Sequence, residues 1–278
     1  MPEACGWPWC ARRFGVPEGL RLAVTTLTVV PVRGPRVLDR RTAGRAMELA
    51  PLVGLALGVV AAAVLYGARL LAHGRAVPLL PCVLAIGTLA LLTRGLHLDG
   101  LADLIDGLGS YRDPDGARAV MKAPDVGPLG VAAVVLVLLV QVAALLTCVQ
   151  AGRGTASLLL SVAVGRLAIT AACRSTAPAV PEGLGALVAR TVRRGVPTAW
   201  AVVLAALFAT YATHNQDGLG SQLGEVLRTL IALGVALLTA RLLRDHGVRR
   251  TGGLTGDLLG AGCELATTVC LVVLSTGH

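Results

Sequence analysis

Four stretches of this chain, Pro51 to Ala68, Ala76 to Thr93, Pro128 to Ala151 and Pro197 to Thr213, contain no charged residue. Each approaches or exceeds the ~17 residues a helix needs to cross the hydrocarbon core of a bilayer. Inside a bilayer the backbone must satisfy its own hydrogen bonds, which admits only helices and closed barrels, and continuous apolar runs select helices. Three further segments extend the pattern. Thr155 to Cys173 carries only Arg166, whereas Leu223 to Leu243 and Leu258 to Leu274 are interrupted by Glu225, Arg228, Arg241 and Glu264. With 55% hydrophobic and 15% charged residues, the chain is too apolar for an ordinary soluble domain. The expected fold is an all-α, polytopic integral membrane bundle of about seven transmembrane helices. Residues 51–278 form one membrane-embedded domain, without an internal repeat or a break in composition. Residues 1–50 form an Arg-rich preceding segment, whose short apolar stretch Leu22 to Val32 reads as an interfacial or re-entrant helix rather than a signal peptide.

A net charge of +9 invites a nucleic-acid reading, but the basic residues sort by membrane side. Eight Arg precede the first span, and four basic residues fall in each of the segments 94–122, 174–194 and 241–250. With seven spans all of these share one face, and only Arg69, Arg75, Arg153 and Arg228 lie near the other. The positive-inside rule then places the N-terminus and these polar segments in the cytoplasm and the C-terminus outside, in a multi-pass protein of the cell (inner) membrane that binds no nucleic acid. The seven Cys are scattered without paired metal-ligand spacing and read as thiols; Cys5 and Cys10, around Gly6-Trp7-Pro8-Trp9, have no partner pair nearby.

The chemistry concentrates in Gly95-Leu96-His97-Leu98-Asp99-Gly100-Leu101-Ala102-Asp103-Leu104-Ile105-Asp106-Gly107. On a helix, offsets of four and seven put Asp99, Asp103 and Asp106 on one face of an otherwise apolar segment. Three anions that close repel one another unless a cation joins them, and carboxylates near hydrocarbon are functional candidates by default. Hard oxygen ligands suit Mg²⁺ or Mn²⁺, which commonly bridge protein carboxylates to substrate phosphates. Gly100 and Gly107 are expected to leave room for a phosphate or for metal-bound water. His97 lies two residues before Asp99, on a different face unless the helix begins there, and reads equally as a packing or a site histidine.

Lys122 is the only lysine among 25 basic residues, a compact point charge suited to phosphate. Arg166, in mid-span, is expected to face the bundle interior and to meet a carboxylate or an anionic ligand, with Arg174 extending a basic lining. The run Gly252-Gly253-Leu254-Thr255-Gly256-Asp257 opens a helix, where backbone N–H groups, Gly256 and the Thr255 hydroxyl offer donors to an anion. Asp257 there is a cap, a metal ligand or a base.

These segments, together with Leu27-Thr28-Val29-Val30-Pro31-Val32, Pro51-Leu52-Val53-Gly54, Met121-Lys122 with Gly127-Pro128-Leu129-Gly130, and Gly253 to Ala261, resemble the cobalamin (5′-phosphate) synthases, the adenosylcobinamide-GDP ribazoletransferases. The resemblance runs nearly end to end and is looser over Arg174 to Gly185. It departs at Ala123 and Asp125, where many members carry an acidic and a basic residue. It implies a Mg²⁺-dependent transferase that joins adenosylcobinamide-GDP to α-ribazole or α-ribazole 5′-phosphate and releases GMP. It implies Asp99, Asp103 and Asp106 as metal ligands on the pyrophosphate, Lys122, Arg166 or Arg174 as added positive charge, and Asp106 or Asp257 as proton acceptor. A homo-oligomer is left open.

A CDP-alcohol phosphotransferase uses similar chemistry, but its motif carries Ala-Arg where Ala102 is here followed by Asp103. An ion-coupled transporter requires polar residues along a transmembrane path, and Pro128 to Ala151 offers only Gln141, Thr147 and Gln150.

Overall fold

A computed structural model describes residues 17–71, 78–174, 178, 180–181, 183–215 and 218–276, and among these every regular element is a helix. In chain order they are α1 (Glu18–Leu27), α2 (Arg40–Glu48), α3 (Ala50–Leu71), α4 (Leu79–Leu92), α5 (Leu96–Gly109) and α6 (Pro114–Met121), followed by α7 (Pro128–Gln150), α8 (Gly154–Arg174), α9 (Leu184–Val188), α10 (Val196–Asn215), α11 (Leu219–Thr251) and α12 (Gly256–Ser275). Cys5 and Cys10 lie outside the described residues.

Among the described residues each of the seven apolar segments contributes a helix, but fewer than the expected seven qualify as spans. Five helices, α3, α7, α8, α11 and α12, are long and apolar enough to cross a membrane. A sixth span arises if α4 and α5 count as one broken crossing, while the apolar part of α10, Val196–Tyr211, is shorter.

The core is built on α8 and α12. Of the apolar window of α8, 78% is buried, against 22% for α7, so α8 is enclosed by protein while α7 presents most of its surface outward. Without a hydrophobic force between helices in lipid, close approach depends on small residues. Gly165 of α8 lies against the Cys263 carbonyl and the Thr267 hydroxyl of α12, and Gly54 of α3 against Val162 and Ala163 of α8.

The sharpest feature is the turn between α4 and α5. Arg94 (φ 55°) and Gly95 (φ 68°) are both left-handed, the Gly95 N–H returns to the Ala90 carbonyl, and the chain bends by 85°. Two successive left-handed residues cannot continue a right-handed helix. The segment after α1 braces this turn, with the Val29 N–H donating to the Leu92 carbonyl at 2.7 Å.

The polar segments assigned to one membrane face meet at one end of the bundle. Arg40 of α2 donates to the Ala186 and Ala189 carbonyls around α9, Arg118 of α6 to the Thr251 carbonyl, and Arg250 to the Arg112 carbonyl. At the other end Arg153 and Arg228 pair with Glu225. Residues 17–49 are not peripheral to this assembly, because α1 and α2 pack together and α2 also packs on α3, α8 and α9.

Candidate active site

The site forms where the first turns of α5 and α12 cross. A Cβ on Gly100 would lie 2.9 Å from both the Cα and the carbonyl oxygen of Asp257, and one on Gly260 would lie 3.3 Å from the Cα and carbonyl of His97. Each helix thus presents a glycine where the other's backbone must pass. The crossing brings Asp99 and His97 of α5 beside Asp257 of α12. Because α5 begins at Leu96, His97 and Asp99 both sit in its first turn and share a wall, the arrangement in which the sequence allowed the two to act together.

That wall bounds a cavity of about 600 Å³. Its polar side holds His97, Asp99, Arg118, Lys122, Thr255 and Asp257; its apolar side holds Leu27, Met47, Ile169, Val180, Leu184 and Leu259. Gly256 lines it too, at the first position of α12. The Thr255 hydroxyl accepts from the Leu258 N–H at 3.1 Å and caps the helix, so the cap is Thr255 and the Asp257 carboxylate is left for the cavity. Asp257 is within Coulombic reach of Asp99 and Lys122, and Asp103 of Asp99, Asp106 and Asp257. The His97 ring is buried, yet neither nitrogen has a hydrogen-bond partner. The ring therefore packs at the α5–α12 crossing, and its place there suits a packing role as well as a site role.

Other expected site residues lie elsewhere. Asp106 turns to α7: one carboxylate oxygen accepts from the Gly127 N–H at 2.7 Å and the other from the Gly130 N–H at 2.9 Å. It therefore caps the N-terminus of α7 across 21 residues of sequence, using the charge a helix start favours. Gly100 and Gly107 do not open space for phosphate or water; they accommodate Asp257 backbone and the Met121 side chain. Arg166 is buried, but in a separate cavity of about 20 Å³ shared with Gln141, Glu264 and Thr267, where Gln141 donates to Glu264 at 2.9 Å. Arg166 is in Coulombic contact with Glu264, and its Nε has no partner. Glu264 is a carboxylate within its Coulombic reach, and no salt bridge joins the two among the described residues. Arg174 is exposed at the end of α8 and does not line the cavity.

Sequence reasoning missed two contributors. Arg118 lines the cavity while its guanidinium pairs with Asp115 and the Thr251 carbonyl; its signal was the Asp115/Arg118 spacing on an amphipathic helix opened by Asp113-Pro114. The roof of α9 carries Gly185 directly against the Leu254 carbonyl, and nothing in its local sequence announces that contact.

A profile of the family described as cobalamin-5-phosphate synthase matches residues 19–275, which takes in every helix from α1 to α12. The chain belongs to the cobalamin-5-phosphate synthase family. Among curated proteins it is 45% identical over 261 residues to an adenosylcobinamide-GDP ribazoletransferase of Frankia casuarinae, covering 92% of this chain and 93% of that one. It is 41% identical to a protein of the same name from Nocardioides sp. (92% and 97%) and 38% identical to one from Stutzerimonas stutzeri (92% and 97%). No solved structure matches.

For a cobalamin-5-phosphate synthase the donor set raises the question of a metal. Among the described residues no three of His, Cys, Asp or Glu stand close enough to form a metal site alone. Mg²⁺ does not need such a cage: it is usually held by one or two carboxylates together with substrate phosphates and water. Asp99 lines the cavity and Asp103, one turn further along α5, does not line it but lies within Coulombic reach of Asp99; the pair would meet that requirement, and Lys122, Arg118 and the α12 N-terminus supply the positive potential a phosphate also needs.

Proposed function

We propose that this protein joins adenosylcobinamide-GDP to α-ribazole or its 5′-phosphate, giving adenosylcobalamin or its 5′-phosphate and GMP. The carrying observation is the single cavity into which Asp99, Asp257, Lys122 and the capped start of α12 converge. Phosphoryl transfer asks for three things from a protein: charge neutralisation on the phosphates, an attacking oxygen held in line, and a place for its proton. Lys122 and Arg118 hold the pyrophosphate, with the N–H groups of Gly256 and its neighbours directed at its oxygens. The ribose hydroxyl attacks the phosphorus that carries cobinamide; the new P–O bond forms as the bond to the GMP oxygen breaks. Asp257, not engaged by the amides that hold Asp106, accepts the hydroxyl proton. Mg²⁺ bound at Asp99 and Asp103 would neutralise charge on the pyrophosphate and stabilise the leaving GMP.

The protein sits in the cell membrane with its N-terminus and this cavity on the cytoplasmic side. The positive-inside distribution supports the orientation, as does the convergence of the basic segments at the cavity end of the bundle. Its partners are adenosylcobinamide-GDP, α-ribazole or its 5′-phosphate, and the bilayer. The reading is tested by offering purified protein adenosylcobinamide-GDP with α-ribazole 5′-phosphate or a CDP-activated lipid with an alcohol. GMP release from the first alone supports it; CMP release from the second alone overturns it.

A further inference from the structure

A second concavity, of about 560 Å³, opens on the outside of the bundle between α1, α2 and the start of α10. Its floor is apolar: Leu49, Val196, Ala199, Trp200 and Val203. It continues down α10, where Val202, Val203 and Leu207 are each about half exposed or more (62%, 50% and 49%). Its rim is charged. Glu48 accepts from the Arg193 backbone N–H at 3.0 Å and from the Arg193 Nε and Nη2 at 2.9 Å, so this carboxylate is spent on one arginine. Arg45 is exposed on the same rim, with no salt bridge among the described residues, and exposed Arg194 follows Arg193. Two rim arginines against one carboxylate leave a net positive rim above an apolar floor. Trp200 stands at the boundary, its indole N–H donating to the Glu48 carbonyl at 2.8 Å, the placement aromatic residues take at a membrane interface.

We propose that this groove binds one anionic phospholipid, with its phosphate at Arg45 and Arg193 and an acyl chain along Leu49, Val196 and Val203. Charge complementarity selects an acidic headgroup, and the open apolar strip along α10 selects a lipid chain over a second protein copy. The groove shares α2 with the active-site cavity, since Met47 faces the cavity and Arg45 and Glu48 face the groove. An occupied groove thus braces a helix that shapes the cavity wall. The assignment is independent of the reaction proposed above.

The test uses the full chain with Trp7→Phe and Trp9→Phe, which leaves Trp200 as the sole tryptophan, reconstituted in phosphatidylcholine nanodiscs. Brominated phosphatidylglycerol or brominated phosphatidylcholine is then titrated in. The anionic lipid is expected to quench Trp200 at roughly fivefold lower mole fraction than the zwitterionic one. Arg45→Glu should abolish this preference, Arg45→Gln should reduce it, and Arg241→Glu, an exposed arginine on α11, should leave it unchanged. Equal quenching by both lipids would overturn the proposal. So would a preference that survives Arg45→Glu, or one lost equally with Arg241→Glu.

Discussion

Gly100 of α5 faces the backbone of Asp257 of α12 so closely that a side chain at 100 would meet the Asp257 Cα and carbonyl oxygen at 2.9 Å. The contact is to backbone, which cannot rotate aside, so any Cβ there must push the two helices apart. Gly100→Val is expected to lower turnover by about tenfold or more, since small misplacements of reacting groups cost that much. Gly262→Ala, on α12 where an added Cβ meets nothing within 4 Å, should be close to wild type in turnover and melting temperature. Parallel kinetics and thermal melts of the two variants check this.

The three α5 carboxylates should separate by phenotype. Asp106 holds the start of α7 through both oxygens, so Asp106→Ala is expected to lose about 1–2 kcal/mol of stability. Asp99→Asn should leave the melting temperature almost unchanged while lowering turnover. Thermal unfolding in detergent beside GMP-release rates distinguishes the two; equal loss of stability in both variants would contradict the division.

Much of this was legible in the sequence, for physical reasons. Uncharged runs such as Pro128 to Ala151 announce helices because no other structure satisfies their backbone in lipid, and the Asp99/Asp103/Asp106 spacing announces a helix face. The sequence does not say what stands opposite that face. The capping of α7 by Asp106 depends on a loop 21 residues away, and Arg166 shares a small interior cavity with Gln141 and Glu264 from other helices instead of lining the active-site cavity. Interior partners of this kind are set by packing and leave no local signature. The short α4 is a similar case: its apolar run extends to Thr93, but the left-handed residues at 94 and 95 end the helix and redirect the chain.

Lys122 is exposed at the cavity mouth and ends α6 through its backbone N–H alone, so its side chain contributes charge rather than structure. Lys122→Ala is expected to raise the KM for the nucleotide substrate by about tenfold, with no change in melting temperature, and Lys122→Arg should recover part of it. Steady-state kinetics over a range of adenosylcobinamide-GDP concentrations reads this out.

The pairing of Glu48 on α2 with Arg193, just before α10, carries an acid sensitivity. Burial pushes the Glu48 carboxyl up, but the side-chain and backbone donors of Arg193, with the charges of Arg193 and Arg45, outweigh it and hold Glu48 below its ordinary value of 4.5. A carboxylate depressed on folding contributes stability above its unfolded range, and that contribution is lost as pH falls through the folded value. Thermal melts from pH 7 downward should show wild type losing its advantage over Glu48→Gln only below about pH 4.5. A constant difference between the two proteins across that range would contradict the pairing.

The central claim is that the Asp99 cavity transfers a phosphoryl-linked cobinamide to a ribazole hydroxyl. Its most direct test measures GMP release by purified protein in liposomes, supplied with adenosylcobinamide-GDP, α-ribazole 5′-phosphate and Mg²⁺, for wild type and Asp99→Asn side by side. Release is expected to require both substrates and Mg²⁺ and to fall by about a hundredfold or more in Asp99→Asn. Absence of GMP with either ribazole form, or release at wild-type rate by folded Asp99→Asn protein, would contradict it.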